Sequence, residues 1–337
     1  MDDLNSEVVI WHEEIPQSSD DGVVATLNSH AIVLLTQFEK EGQKSDLDNA
    51  IALYEQALEA CPAPHPERPT ILSGFTTALW SQFEQESQQK GLDDINSLQG
   101  QTFEMQSSSY SNQSRFFSNL GTALWTQFIQ KGHQNDLYDS IFLYRQALKL
   151  CPLTQADRST FLNNLAYALE TQFKQGGQQN DFNECISLRK QALELCPSPH
   201  PDRYMSLSNL ANALWTQFIQ RDHQIDLNNI ISLNREALEL CSPSHPDRST
   251  SLNNLANALQ ARFIQEGQQN DLDESISLNR QTLELRPSPH PDRSMSLSNL
   301  ATALWTQFRK GGQENYLDEC ISLNRQALEL RPPSHPN

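Results

Sequence analysis

Between residues 252 and 263 the apolar side chains Leu252, Leu255, Ala256, Leu259 and Phe263 fall at i, i+3, i+4, i+7 and i+11, the spacing that lines one face of an α-helix. Upstream, His245-Pro246-Asp247 marks a helix start. Proline is tolerated in a first turn because its missing N–H would have no partner there, and an acid beside it favours the positive end of the helix dipole. This helix, A, is expected to begin near Pro246 and to close in the polar run Gly267-Gln268-Gln269-Asn270, where glycine can adopt the left-handed conformation. A second amphipathic run, B, follows with Leu272, Ile276, Leu278, Leu283 and Leu285 as its apolar positions and Asp271 as its N-cap, since a carboxylate accepts the free amides of a first turn. Pro287 stops it, having no N–H to donate and a ring that clashes with the preceding turn.

The same pair of helices recurs. Phe38, Phe83, Phe128, Phe173, Phe218, Phe263 and Phe308 each stand 45 residues after the last, so seven copies of one helical hairpin fill most of the chain. A fixed period of this size marks a stacked repeat protein: no unit can bury its own apolar face, and each leans on its neighbours. Isolated helices of this length are marginal in water. Short polar turns between them make neighbours antiparallel.

Within the first copy, Ala50, Tyr54, Ala57 and Pro62 are spaced as small, aromatic, small and proline, and the second helix thereby resembles the tetratricopeptide repeat (TPR). Helix A resembles that family less fully: Leu255-Ala256 and Leu259 stand where it has Leu-Gly and Tyr, and Leu252 replaces its Trp. The longer period and the phrase His-Pro-Asp followed by LNNLA are similar to kinesin light chain repeats, and to fungal arrays of aromatic di-alanine and TPR proteins, many of which precede a caspase-like CHAT domain. The resemblance implies an all-α, right-handed α-solenoid of about seven antiparallel helix pairs, a TPR-like superhelix whose A helices line a concave groove.

On this reading residues 1–22 form an acidic, disordered tail, and residues 23–334 form the array. Its units are 23–65, 66–110, 111–155, 156–200, 201–245, 246–290 and 291–334, and residues 335–337 start a truncated further repeat. The second unit departs from the pattern. Gly91 to Asn96 is a weak helix opening, Gly100 interrupts the run, and residues 106–114 are Ser-rich; each mid-helix glycine costs about 1 kcal/mol against alanine, so the stack is expected to bend or fray there. The last B helix is expected to lack a covering partner, which would make the chain a fragment or a truncated product.

Composition narrows the function. Among 337 residues, 37% are hydrophobic and 20% charged, and no apolar run of about 18 residues could cross a bilayer. The opening MDDLNSEVVIW is acidic where a secretory signal is basic, so the cytoplasm is the expected compartment. A net charge of −18 disfavours nucleic acid, whose phosphates need clustered Lys and Arg. Cys61, Cys151, Cys196 and Cys241 share a column with Arg286 and Arg331; Cys185 and Cys320 share one with Ala50, Ile230 and Ser275. Residues that interchange with Arg, Ala or Ser are not obligate ligands, and they read as small buried thiols.

No catalytic constellation survives inspection: His12-Glu13-Glu14 lacks the second His of a zinc-protease motif, no G-x-S-x-G occurs, and Gly176-Gly177 and Gly311-Gly312 are not followed by GK[ST]. His65, His200, His245, His290 and His335 recur at the repeat interval, too far apart to share a metal, and read as helix-start residues. Arg68, Arg158, Arg203, Arg248 and Arg293 lie near the positive end of helix A, where a cation needs compensation. The expected partners are Glu59, Glu104, Glu194, Glu239, Glu284 and Glu329 of helix B, with Lys149 the exception in that column; contact with an acidic peptide is the alternative.

The groove carries the functional expectation. Helix A presents Asn253, Asn254 and Asn257, repeated as Ser208, Asn209 and Asn212 and as Ser298, Asn299 and Thr302, side chains able to hydrogen-bond a peptide backbone. The cations with which some tetratricopeptide repeats clamp a carboxylate are missing from these positions. Trp80, Trp125, Trp215 and Trp305 share one column, filled by Leu35, Glu170 and Gln260 elsewhere; they are either binding anchors or packing residues on the adjacent repeat. The expected function is a non-enzymatic scaffold without cofactor or metal, which takes a peptide or helix of a partner protein at Asn209, Asn212, Trp215, Asn254, Asn257, Asn299, Trp305, Trp125 and Trp80. The alternative is the sensor arm of a CHAT-type peptidase or another effector whose catalytic domain lies outside the chain.

Overall fold

The computed structural model describes residues 20–62, 65–86, 89–98, 110–152, 157–220 and 226–330. These form seven successive helix pairs: α1 (Asp20–Glu41) with α2 (Lys44–Ala60), α3 (Arg68–Glu86) with α4 (Gln89–Ser97), α5 (Tyr110–Lys131) with α6 (Gln134–Leu150), α7 (Arg158–Lys174) with α8 (Gln179–Glu194), α9 (Arg203–Gln220) with α10 (Leu227–Leu240), α11 (Arg248–Glu266) with α12 (Gln269–Glu284), and α13 (Arg293–Gly311) with α14 (Glu314–Glu329). No strand occurs among the described residues. The protein is all-α, each odd helix being the A and each even helix the B of a hairpin. Two compact units, Met1–Ala168 and Leu169–Asn337, divide inside α7.

Periodicity translated into burial. In α11, Leu252, Leu255, Ala256 and Leu259 are at most 2% exposed, and in α12 Leu272, Ile276 and Leu278 are buried. Leu285 belongs with solvent instead, 43% exposed at the C-cap. Ala213, Ala258 and Ala303 occupy one column of the A helices and are wholly enclosed; the small side chain lets consecutive A helices approach. Accordingly, in the second unit α9 touches α11 and α11 touches α13, whereas the B helices α10, α12 and α14 make no comparable backbone approach. Long side chains span the wider spacing there, as Arg235 does to Glu274 (2.6 Å) and Arg280 to Glu319 (3.0 Å). The closer-packed A layer is therefore the concave side of this unit.

Helix ends show where local chemistry operates. Gly42, Gly132, Gly267 and Gly312 have φ between 68° and 75°, and each donates its N–H to the carbonyl of the marker phenylalanine four residues earlier, for example Gly267 to Phe263 at 2.8 Å. This closes helix A with the left-handed cap. Starts differ from expectation. Helix α11 begins at Arg248, two residues past Pro246, because His245-Pro246-Asp247 folds as a turn in which the Asp247 N–H donates to His245 Nδ1 (3.2 Å) and the Arg248 N–H to the His245 carbonyl (3.1 Å). His65, His200 and His290 accept the N–H of Glu67, Asp202 and Asp292 in the same way.

Asp271 does not cap α12, which begins at Gln269 with Gln268 before it. Its carboxylate is buried and held by both Arg262 Nε and Nη2 at 2.7 Å, a bidentate pair that outbids the cap. Its counterpart Asp226 does cap α10, accepting from the Asn228 N–H at 2.9 Å.

In the first unit α4 is a nine-residue helix, the shortest B element described, and α3 packs directly on α5. Gly100 and the expected bend, Glu104, residues 1–19 of the tail and the 335–337 repeat start lie outside the described residues; α1 already begins at Asp20, inside the range assigned to the tail.

Candidate partner-binding groove

The asparagine column of the A helices is largely spent on structure. Asn254 donates its side-chain amide to Asn212 Oδ1 of the preceding A helix (3.0 Å), and Asn119 donates likewise to Thr77 Oγ1 (2.9 Å). Asn299 reaches Asn253 Oδ1 (2.7 Å) and Asn164 reaches Ser118 Oγ (3.4 Å). One column thus supplies a strut to the previous repeat, 42 or 46 residues back, and the hydrogen bonds expected for a peptide backbone already tie neighbouring helices. Asn209 is buried, and its backbone carbonyl accepts from Arg189 Nη1 (2.7 Å).

What stays available lies beside the tryptophans. Asn212, Trp215, Asn254 and Asn257 meet at a seam between α9 and α11, together with Ala211, Ile230 and Asn234, around a crevice of about 10 Å³. Asn257 is half-buried without a side-chain partner, and Asn212 is exposed with only its oxygen engaged. Trp215 stacks on Phe218, with ring centroids 5.4 Å apart and planes 23° apart; Trp80 meets Phe83 at 5.4 Å, and Trp305 meets Phe308 at 5.6 Å. Each of these rings packs on the marker phenylalanine of its own helix and keeps an outer edge. Trp80, Trp125 and Trp215 are half-buried, and Trp305 is 43% exposed.

In the fourth repeat the tryptophan column carries Glu170, and the chemistry changes. Arg189 of α8 is 2% exposed and bonds Glu170 Oε2 through Nη2, while Lys174 Nζ lies 2.8 Å from Glu170 Oε1. Burial pushes the Glu170 carboxyl up, but the opposite charges of Arg189 and Lys174 outweigh it and hold the carboxyl below its usual range. The column containing Arg189 holds Tyr54, Tyr144, Asn234, Asn279 and Asn324 in other copies. Two simultaneous departures in one repeat, Glu170 and Arg189, are the sequence signal of this pair.

Among the described residues the arginine column serves helix ends in place of the glutamates of helix B. No ion pair joins Arg68, Arg158, Arg203, Arg248 or Arg293 to that Glu column among the described residues; each Nη1 instead donates to a carbonyl at the end of the preceding B helix. Arg68 reaches the carbonyls of Leu58 and Cys61 (both 2.9 Å), Arg248 that of Cys241 (2.6 Å), and Arg293 that of Arg286 (2.6 Å). The cation sits at the start of one helix yet caps the negative end of another, where orphan carbonyls and the dipole both favour it. Arg203 adds a pair with Glu236, a residue outside the expected column (2.7 Å).

All six cysteines are buried thiols. Burial raises Cys151, Cys241 and Cys320 and pushes Cys185 to about 11, which suppresses the reactive thiolate. Where Cys gives way to Arg286, the guanidinium is 1% exposed and donates to Ser249, Ser296 and Thr250 hydroxyls at 3.1, 3.1 and 3.3 Å; burial lowers its pKa. No helix among the described residues is long and apolar enough to cross a membrane.

These stacked hairpins define a helical-repeat protein. A tetratricopeptide repeat family model matches residues 293–337, a window one period long. Among solved structures, kinesin-light-chain-like, nearly identical TPR-like repeats from Podosopora anserina are similar at 21% identity over 65% of this chain and 98% of that one, with a TM-score of 0.47. The nuclear import adaptor Nro1 of S. pombe is similar at 13% identity over 90% and 99%, with a TM-score of 0.43. BtubC of P. vanneervenii shares 13% identity over 80% and 91%, with a TM-score of 0.42. No curated protein sequence matches the chain.

Proposed function

We propose that the chain is a non-enzymatic scaffold that holds an extended peptide or a helix of a partner protein against its A helices. The observation that carries this reading is the surface seam between α9 and α11, where Trp215 offers an apolar edge beside the unspent amides of Asn212 and Asn257. A peptide backbone presents alternating donors and acceptors, which primary amides match without charge, and a tryptophan already packed on Phe218 loses little freedom on binding. Trp305 extends the surface at α13, while Trp80 and Trp125 repeat the motif in the first unit. Asn254 and Asn299 act chiefly as struts. Tetratricopeptide repeats typically serve as protein-interaction scaffolds, which agrees with this use.

Buried thiols that form no disulfide support residence in a reducing compartment, the cytoplasm. A net charge of −18 supports a protein partner over nucleic acid. The relation to fungal CHAT-associated arrays rests on the resemblance of the repeats, and no described side chain favours the sensor-arm reading over a free-standing scaffold.

The test uses the full chain as bait, with retained proteins identified by mass spectrometry. Trp215→Ala combined with Asn257→Asp is expected to lose those proteins while melting within a few degrees of wild type. Unchanged capture with a large fall in melting temperature would make Trp215 a packing residue and overturn the groove.

A further inference from the structure

On the side of the B helices, the fifth and sixth repeats leave space between them. Helices α10 and α12 stand farther apart than the A helices of the same repeats, and two crevices of about 430 and 480 Å³ follow one another along α10, with Arg235 and Glu239 in the walls of both. Small-molecule sites span roughly 300 to 1,000 Å³. The larger crevice takes its apolar lining from Leu238, Leu255 and Leu278, and one ion pair in its wall, Arg235 with Glu274 at 2.6 Å, joins α10 to α12.

Two further charges line this crevice and do not meet each other. Arg248 is half-buried, and its Nη1 donates to the Cys241 carbonyl at 2.6 Å, while Nε and Nη2 make no hydrogen bond among the described residues. Glu239 is exposed and has neither a hydrogen bond nor an ion pair among the described residues. Neighbouring charges are already engaged: Glu236 pairs with Arg203, and Arg262 with Asp271. Asp247, beside Arg248 in sequence, is not part of the lining.

We propose that this crevice binds a small zwitterion with an apolar side chain, a free amino acid or a dipeptide, whose carboxylate accepts from Arg248 and whose ammonium pairs with Glu239. Nε and Nη2 form the edge of a guanidinium that takes a carboxylate through two parallel donors, as Arg262 takes Asp271 with both bonds at 2.7 Å. Charge selects the class. An inorganic anion would satisfy Arg248 but be repelled by Glu239 and by a chain of net charge −18, and a polyamine would satisfy Glu239 but face the like charge of Arg248. A ligand that carries both signs answers both groups, and its side chain adds contact with Leu238. Once bound, it ties α10 to the start of α11.

The full chain is titrated calorimetrically with L-leucine and with L-leucyl-L-leucine. Saturable binding of at least one is expected, with a melting temperature that rises as ligand is added, and the tighter of the two assigns the source, a free amino acid or a short peptide. N-acetyl-L-leucine, which lacks the ammonium, and L-leucinamide, which lacks the carboxylate, should each bind about tenfold more weakly or worse. Glu239→Gln changes an exposed side chain without a partner, so it should melt as wild type does, bind the zwitterion about tenfold more weakly and lose the preference over N-acetyl-L-leucine. Arg248 also caps the end of α10, so its part is read from the leucinamide comparison and not from a variant that unfolds the repeat. The proposal is overturned if neither zwitterion binds, if the two blocked analogues bind as well as leucine, or if Glu239→Gln binds the zwitterion unchanged. Trp215→Ala should bind it as wild type does, because the crevice is lined without that residue; loss of binding there would also overturn the assignment.

Discussion

The fourth and fifth repeats solve the same packing position in opposite ways. In the fifth, Trp215 stacks on Phe218, and the facing B-helix position is Asn234, whose amide donates to the Ile230 carbonyl of its own helix at 3.0 Å. In the fourth, Glu170 replaces the tryptophan and Arg189 the asparagine, and the guanidinium also reaches across to the Asn209 carbonyl of α9. Phe173 still stacks on Phe182, with centroids 4.7 Å apart, so the surrounding frame is kept. The leucine, alanine and phenylalanine columns set the hairpin, and the tryptophan column can be apolar or ionic. The fifth repeat leaves the outer edge of its tryptophan open; the fourth uses the position to join α8 to α9.

Breaking the ionic solution should have the largest effect. Glu170→Ala leaves Arg189 buried without its carboxylate, and a loss of about 3 to 5 kcal/mol is expected in denaturant melts; a loss below about 1 kcal/mol would mean that water reaches the guanidinium. The pH dependence follows from the direction of the shift. The Glu170 carboxyl is held below its usual range, so its contribution is fully present above the ordinary carboxylate value, about pH 4.3, and is lost as pH falls through the lower folded-state value. Wild type and Glu170→Gln should therefore differ by a constant amount near neutrality and converge in acid. A gap that widens below pH 4 would contradict the assigned pair.

Converting one solution into the other is the sharper test. Glu170→Trp with Arg189→Asn writes the fifth repeat's pair into the fourth. Replacing a buried ion pair by packed residues is often neutral or stabilising by about 1 to 4 kcal/mol, so the double variant should be at least as stable as wild type. Glu170→Trp alone should be much worse. A double variant as poor as that single one would show that the Arg189 bridge to Asn209 is needed to hold α8 on α9.

How much of this was legible depends on which physical property decides each feature. Periodicity decides burial, and the apolar face of Leu252, Leu255, Ala256 and Leu259 was readable because one helix is enough to define it. The left-handed close at Gly267 was readable for the same local reason. Reach decides the rest. Recurrence alone pairs Arg248 with a helix-B glutamate, but its guanidinium lies among the last carbonyls of the preceding helix, a fact set by the angle between successive hairpins. The asparagine struts likewise depend on whether a side chain meets the helix 42 or 46 residues back, which no pattern within one repeat contains. Asp271 departs from its expected N-cap role because an N-cap and a bidentate arginine compete for the same carboxylate.

The smallest effect isolates burial from charge. Arg235 and Glu274 join the fifth and sixth repeats at 2.6 Å, the same chemistry as the fourth repeat's pair but with side chains 48% and 39% exposed. Water solvates both partners before and after they meet, and salt screens what remains, so a double-mutant cycle of Arg235→Ala and Glu274→Ala should return a coupling of about 0 to 1 kcal/mol that fades in salt. The corresponding cycle on Glu170 and Arg189 should return a larger coupling that salt barely changes. Equal couplings in the two cycles would show that solvent access does not distinguish the repeats, and the contrast between an open fifth repeat and a dry ionic fourth would lose its physical basis.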